Sequence, residues 1–321
     1  MLFLSTRDVE GLLSPATMLD ALEMAFRAYS NGTASIPPRT AARAPDGLLG
    51  AMPGWVAGGG LALKAVSVFP GNAARGLPSH QGVITLFDER DGSLLAVMDG
   101  EHITAMRTAG GAAVSVRALA RSEARTLAIL GAGVQGRSHL ATVPLVRDFT
   151  EIRIASRDRE HARRLAEVDS RCVVADGFET AARGADVVCC CTDAREPILR
   201  HEWIEPGAHV TSVGGTFGPE LDGETMRRNR VFVEWRGAAE HAPPAGAHEL
   251  QGLDPASIDE IGEVLEGTRP GRQDDREITV YKSTGSAFED VVTARIVYDA
   301  AIAAGAGIEV DLTGGMRAPA P

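Results

Sequence analysis

The sequence predicts an α/β fold: a doubly wound parallel sheet joined to a separate α+β region. Three observations predict it. A short apolar strand, Thr126–Leu130, runs directly into Gly131, Gly133 and Gly136, a G-x-G-x-x-G spacing. Beyond it, short apolar runs alternate with helical patterns, as parallel strands with crossover helices do. Before it, over residues 36–98, strands follow one another with only turns between them, as in an antiparallel region.

The elements follow in order. Ser14-Pro15 opens a helix, with serine as the N-cap and proline at the first helical position. Met18, Leu19, Leu22, Ala25, Phe26 and Tyr29 keep helical spacing, and Asn31-Gly32 ends it. Strands are predicted at 39–44, 48–52, 61–69, 83–87 and 94–98, with Asp91-Gly92 as the hairpin turn between the last two. A helix over 104–121 leads into the strand before the glycines. Further strands are predicted at 151–155, 171–175, 186–191, 209–213, 231–234 and 278–281, and helices at 159–168 and 257–265. Residues 238–248, with Pro243-Pro244, read as a loop. A last helix, 288–304, is expected to pack back on the first region. The expected division is therefore 1–118 with 292–321 as one domain and 119–291 as the doubly wound one.

Composition excludes several classes of function. With 44% hydrophobic and 23% charged residues the chain reads as an ordinary globular protein. A net charge of -11 offers no basic stripe for nucleic acid. No apolar run approaches the roughly 20 residues needed to span a bilayer. The opening Met-Leu-Phe-Leu-Ser lacks a basic start and is too short for a signal core, so a cytoplasmic location is expected. Cys189, Cys190 and Cys191 are adjacent and, with Cys172, fit neither a zinc site nor a disulfide framework; a buried parallel strand explains them better, and no metal is expected.

The glycine loop points to a dinucleotide. Gly131 permits a tight turn, Gly133 lets the backbone approach a pyrophosphate, and Gly136 lets the following helix pack closely on the strand. That helix, opening at Val134 and Gln135, offers free N–H groups and the positive end of its dipole to phosphate. After the second strand, where an acidic residue would hold ribose hydroxyls, the chain has Ser156-Arg157-Asp158. A hydroxyl at Ser156 and the Arg157 guanidinium suit a 2′-phosphate, so NADP(H) is expected over NAD(H). The competing assignment has Asp158 on the ribose and Arg157 in solvent.

Three cations precede this loop. Arg39 follows Pro37-Pro38, and Lys64 lies within a strand on the face of Ala62, Val66 and Val68. Arg107 falls in the first turn of the helix expected from Thr104, where it opposes the helix dipole and calls for a nearby anion. Singly, each is a snorkelling or surface residue. Together, ahead of a dinucleotide site, they suggest a clamp for a substrate carboxylate. His80, with an ordinary pKa near 6.5, joins Lys64 as a candidate proton donor.

A wider set of segments runs in order along the chain: Pro37-Pro-Arg39, Ala51-Met-Pro53, Lys64, Gly76-Leu-Pro78, Leu95-Ala-Val-Met-Asp-Gly100, Thr104-Ala-Met-Arg-Thr-Ala109 and Gly131-Ala-Gly-Val-Gln135. It continues with Ser212-Val-Gly-Gly215, Ile261-Gly-Glu-Val-Leu265, Pro270-Gly-Arg272, Ser283-Thr-Gly285 and Glu289-Asp290. In these the sequence resembles the ornithine cyclodeaminase/mu-crystallin family over nearly its whole length. The resemblance implies an α+β domain that binds substrate and forms a homodimer, followed by a Rossmann-type doubly wound domain. It implies that Arg39, Lys64 and Arg107 meet the substrate carboxylate and reacting centre. Thr192, Val213 and Gly214 would lie beside the cofactor, and Thr284 and Gly285 near the site between the domains.

That family spans several chemistries, and the departures from its pattern choose among them. Cyclodeaminases carry an aspartate after the Gly-Gly pair that handles the substrate amine; Thr216 stands there, facing the substrate. Their glutamate just before Met-Pro is also replaced, by Gly50-Ala51. Without both carboxylates nothing evident takes protons from the amine of ornithine. The expectation is an NAD(P)H-dependent reductase of small α-imino acids such as Δ1-pyrroline-2-carboxylate or Δ1-piperideine-2-carboxylate, or a related amino-acid dehydrogenase. A cyclodeaminase with recycled NAD and a mu-crystallin-like binding protein with little turnover are the alternatives.

Overall fold

The structure, a computed structural model, describes residues 1–215 and 217–312. The chain begins β1 (Leu2–Leu4), α1 (Thr6–Leu12), α2 (Pro15–Ser30), β2 (Ala34–Ser35), β3 (Thr40–Ala44), β4 (Gly47–Val56), β5 (Gly60–Val68), β6 (His80–Phe87), β7 (Leu94–Asp99) and α3 (Glu101–Leu119). It continues β8 (Thr126–Leu130), α4 (Val134–Thr142), β9 (Glu151–Ala155), α5 (Arg159–Ala166), β10 (Cys172–Val174), α6 (Phe178–Ala182), β11 (Val187–Cys190) and β12 (His209–Ser212). Then come α7 (Gly223–Arg228), β13 (Arg230–Val233), α8 (Gly237–Glu240), β14 (Asp259–Glu260), α9 (Ile261–Leu265), β15 (Thr279–Lys282), α10 (Ala287–Ala304) and β16 (Ile308–Glu309).

Two eight-stranded sheets organise these elements. The first has the order β16-β1-β7-β6-β5-β4-β2, with β3 also paired to β4. Along β5 the side chains alternate: Ala62 and Lys64 are buried, while Leu61 and Leu63 face outward. The register sets Lys64 opposite Met52 on β4 and Ile84 on β6, so the lysine lies in the middle of the inner face. Helix α10 packs across β4 and β5 on that face, with α2 and α3 beside it. Phe26 of α2 meets Phe288 of α10 edge to face at 5.3 Å, and Tyr29 stacks on the same ring.

The second sheet runs β10-β9-β8-β11-β12-β15-β13-β14, and every pairing in it is parallel. The order reverses between β8 and β11, so the glycine loop after β8 opens at the switch point where doubly wound sheets bind ligands. Strand β11 is buried along its full length, and burial pushes the Cys189 thiol up to about 12. Its cysteines are packing residues.

Three sequence expectations need correction. Helix α3 starts at Glu101, not Thr104, because the Asp99 carboxylate accepts the His102 N–H and the helix begins one turn earlier. Arg107 therefore sits in the second turn, and its burial, not the helix dipole, is what requires an anion. The helix expected over 257–265 shrinks to α9, since the Glu260/Glu263 capping box starts it only at Ile261. Strand β1 and helix α1 were not foreseen; three and seven residues are too few to show a period.

Candidate active site

The glycine loop has the geometry its spacing requires. Gly131 adopts φ 117, and a Cβ there would lie 2.5 Å from the Cys191 carbonyl oxygen. A Cβ on Gly136 would overlap the Gly131 carbonyl. Above Gly133, by contrast, there is open space within 4 Å of the added Cβ position. Helix α4 begins at Val134 with no side-chain cap, leaving its first N–H groups free beside that space. Val134 is exposed, and the buried Gln135 Oε1 has no hydrogen-bond partner. Two closed glycines, one open one and an uncapped helix fit a dinucleotide pyrophosphate; the Gln135 Oε1, an acceptor, calls for a donor instead. His139 is buried on the same helix, its Nδ1 2.8 Å from the Gln135 carbonyl, and burial pushes its pKa down to about 4.

Ser156 and Arg157 follow β9 directly. Asp158 is already used, since its carboxylate caps α5 by accepting the Glu160 and His161 N–H groups. Arg157 is exposed and pairs with the exposed Asp193 at 3.0 Å.

The three cations meet at the floor of a cleft of about 900 Å³ between the two sheets. Lys64, only 3% exposed, places Nζ 2.7 Å from Asp290 Oδ2 and 3.4 Å from Thr104 Oγ1. Arg107 donates from Nε to Asp290 Oδ1 at 3.0 Å and from Nη1 to Glu289 Oε2 at 3.1 Å. Arg39 donates to the Thr284 and Gly285 carbonyls at 2.8 and 2.6 Å. These carbonyls belong to a loop wrapped around buried Glu234, whose carboxylate accepts Ser283 Oγ–H and the N–H groups of Thr284 and Gly285. Gly285 has φ 72, and a Cβ on it would strike the Arg107 guanidinium.

Burial and the neighbouring Arg107 charge push Lys64 down to about 8, against the opposing pull of Asp290. Burial also works against the charge on Arg107, but Asp290 and Glu289 outweigh it and hold the guanidinium above its usual value. Burial tends to raise Asp290, yet Lys64 and Arg107 keep it ionised below the usual range. Glu289 is driven upward, chiefly by burial.

Val213, Gln135, Thr284 and Gly285 line the same cleft as the cations, so the loop after β12 and the start of α4 face Lys64. His80 also lines it but opens β6 at the exposed end. It stands opposite Val68, four residues along β5 from Lys64, a distance of about 13 Å at strand spacing. Gly50 lines the cleft wall at the position of the cyclodeaminase glutamate, so no carboxylate projects there. Thr216 lies outside the described residues. Thr192 and Gly214 are tied to one buried carboxylate, Glu220.

The sequence reading did not single out Glu220, Glu234, Glu249 or Lys282. Glu234 and Lys282 do leave a trace, each being a charge closing an apolar strand. Glu220 and Glu249 lie in irregular segments and leave none.

A parallel sheet carrying a dinucleotide loop at its switch point, facing a cationic floor on a second sheet, defines a nicotinamide-dinucleotide protein with a small anionic substrate. Residues 1–305 match the ornithine cyclodeaminase/mu-crystallin family, to which the chain belongs. The mouse ketimine reductase mu-crystallin is 39% identical over 307 residues, covering 92% of this chain and 96% of the relative. The Thermococcus litoralis Δ1-pyrroline-2-carboxylate reductase, solved with NADH and L-proline, is 34% identical with a TM-score of 0.89, covering 97% of this chain and all of that one. An archaeal alanine dehydrogenase, solved as a dimer with bound NAD, is 30% identical with a TM-score of 0.91, covering 97% and 99%.

Proposed function

We propose that the protein is an NAD(P)H-dependent reductase of small α-imino acids, with Δ1-pyrroline-2-carboxylate and Δ1-piperideine-2-carboxylate as the substrate type. One observation carries this reading: a buried lysine held by an aspartate, flanked by two arginines, in the same cleft as the dinucleotide-side residues Val213 and Gln135. The reduced nicotinamide supplies the hydride. Arg39 and Arg107 retain N–H groups beyond those given to protein acceptors and take the substrate carboxylate. Lys64 donates the proton that the imine nitrogen gains, and Asp290 fixes the position of its Nζ. His80 is too far along the sheet from Lys64 to share the same nitrogen, and we assign it to the cleft mouth. The polar loop Thr284-Gly285 keeps Arg39 in place. Gly131, Gly133, Val134, Gln135 and Gly136 hold the pyrophosphate, and Thr192, Val213 and Gly214 border the nicotinamide.

NADPH is the proposed cofactor over NADH. Asp158 is committed to capping α5, whereas Arg157 is tied only by its exposed pair with Asp193, which a 2′-phosphate would displace, so Ser156 and Arg157 are the groups to meet the ribose substituent. Residues 1–118 with 292–321 are assigned to substrate binding and dimerisation, and 119–291 to the dinucleotide, with the first turn of α10 from Ala287 carrying Glu289 and Asp290 onto the first sheet across that boundary. A homodimer is supported by the outer face of the first sheet. There Leu49, Leu61, Leu63 and Val83 share one face of adjacent strands and are 36% to 54% exposed. A contiguous apolar face of this kind is an association surface.

The test is oxidation of NADPH and NADH over a panel of cyclic imines, 2-keto acids with ammonia, and ornithine. Turnover of cyclic imines with NADPH preferred supports the reading. Proline and ammonia from ornithine without net cofactor change would replace it with cyclodeamination.

A further inference from the structure

Behind the loops that border the nicotinamide lies a buried set of charges with no part in the proton chemistry above. Glu220 is 0% exposed and accepts four hydrogen bonds. Its Oε1 takes the Thr192 N–H at 2.6 Å and the Thr192 hydroxyl at 2.7 Å. Its Oε2 takes the Ser212 hydroxyl and the Gly214 N–H, both at 2.8 Å. Lys282 Nζ donates to Ser212 Oγ at 2.7 Å and to the Gly214 carbonyl at 2.9 Å, and lies 3.2 Å from Glu249 Oε1. Glu249 Oε1 in turn accepts the Glu220 N–H at 2.6 Å. Gly215 sits at φ 97, a conformation that favours glycine, and a Cβ there would come 2.9 Å from both Lys282 Nζ and Glu249 Oε2, so one of those side chains would have to shift.

The two loops joined by Glu220 follow neighbouring strands, β11 and β12, at the same sheet edge as the glycine loop. Thr192 reaches that loop, because a Cβ on Gly131 would come 3.0 Å from its Cγ2. Val213, beside Gly214, lines the cleft with Lys64. An apolar contact would hold two loops together at less desolvation cost, but it would not fix their spacing. Four directed bonds to one carboxylate do fix it. We propose that Glu220 is a positioning residue for the nicotinamide end of the cofactor, setting the gap between the Thr192 and Gly214 loops, with Lys282 and Glu249 holding it in place. The inference rests on the dinucleotide reading above.

The hydrogen-bond pattern makes the proposal testable. Each Glu220 oxygen faces two donors, and Ser212 Oγ already accepts from Lys282, so its own hydrogen must go to Glu220. In Glu220→Gln the amide NH2 must face either the Thr192 pair or the Ser212/Gly214 pair, releasing one loop. The full-length protein is titrated with NADPH and NADH by nicotinamide fluorescence, and with ADP-ribose and its 2′-phosphate by competition, which lack only the nicotinamide ring. Glu220→Gln is expected to weaken binding of the preferred dinucleotide at least tenfold while changing the ADP-ribose fragments less than about twofold. Ser212→Ala, which removes one of the four donors to Glu220 together with one acceptor of Lys282 and serves if the glutamine variant fails to fold, is expected to shift the same ratio in the same direction by a smaller factor. Equal weakening of dinucleotide and fragment would mean a merely structural role and overturn the proposal. Unchanged binding of both would also overturn it. A wild-type protein that binds neither dinucleotide would overturn the dinucleotide reading itself.

Discussion

Between pH 7 and pH 9 the enzyme is expected to lose about nine-tenths of its kcat/KM for imine reduction. The cause is Lys64. An ordinary lysine stays charged to beyond pH 10, but burial and the adjacent Arg107 bring this one to about 8. The donor must be the ammonium form, so the active fraction is about 0.9 at pH 7 and about 0.1 at pH 9, a tenfold fall. The sign is fixed by the direction of the shift: activity is retained below the pKa and lost above it. Because kcat/KM reports the free enzyme, its alkaline limb should lie near pH 8. In the complex the bound carboxylate favours the ammonium, so the limb of kcat should lie at higher pH. Initial rates of NADPH loss over pH 6 to 10 measure both. Lys64→Arg keeps the charge but holds its proton far too tightly to donate, so it should turn over about 10²–10⁴-fold more slowly with no limb in this range. A flat wild-type profile from pH 7 to 9, or an arginine variant that keeps the limb, would refute the assignment.

Further outcomes follow from the same contacts. Asp290→Asn removes the charge that raises the Lys64 pKa, so the alkaline limb of kcat/KM should move to lower pH; a limb that stays or rises contradicts the Lys64–Asp290 pairing. Gly136→Ala drives a Cβ into the Gly131 carbonyl and should cost about 2 kcal/mol or more of stability in urea unfolding, together with cofactor binding. Arg157→Ala should narrow the preference for NADPH over NADH by about tenfold in kcat/KM, and an unchanged ratio would remove Arg157 from the 2′-phosphate. Leu63→Glu places a charge in the apolar outer face of the first sheet and should yield monomers by light scattering, with the inner-face Lys64 environment intact.

Much of this was legible in the sequence because the signals were local. The glycine spacing marked the loop after β8, Ser14-Pro15 marked the start of α2, and the apolar Val-Val-Cys-Cys run marked a buried strand. Lys64 could be placed on a strand face by alternation alone. What it touches could not, because Asp290 arrives from the far end of the chain. The start of α3 escapes the sequence for a similar reason: the group that takes its early His102 N–H is the Asp99 carboxylate, on the strand before it. Glu220 and Glu249 carry no pattern at all. Their meaning comes from which donors converge on them, and those donors belong to three separate segments.

Arg107 and Asp290 are 183 residues apart in sequence yet share a hydrogen bond. The nucleotide-side sheet lies between them in the chain, inserted into the middle of the unit that builds the substrate floor. During synthesis, then, Lys64 and Arg107 emerge long before Glu289 and Asp290, the carboxylates that neutralise them. That late, long-range closure makes the floor among the last parts of the protein to form. An incomplete chain that already holds its dinucleotide loop still lacks Asp290, the shared partner of Lys64 and Arg107.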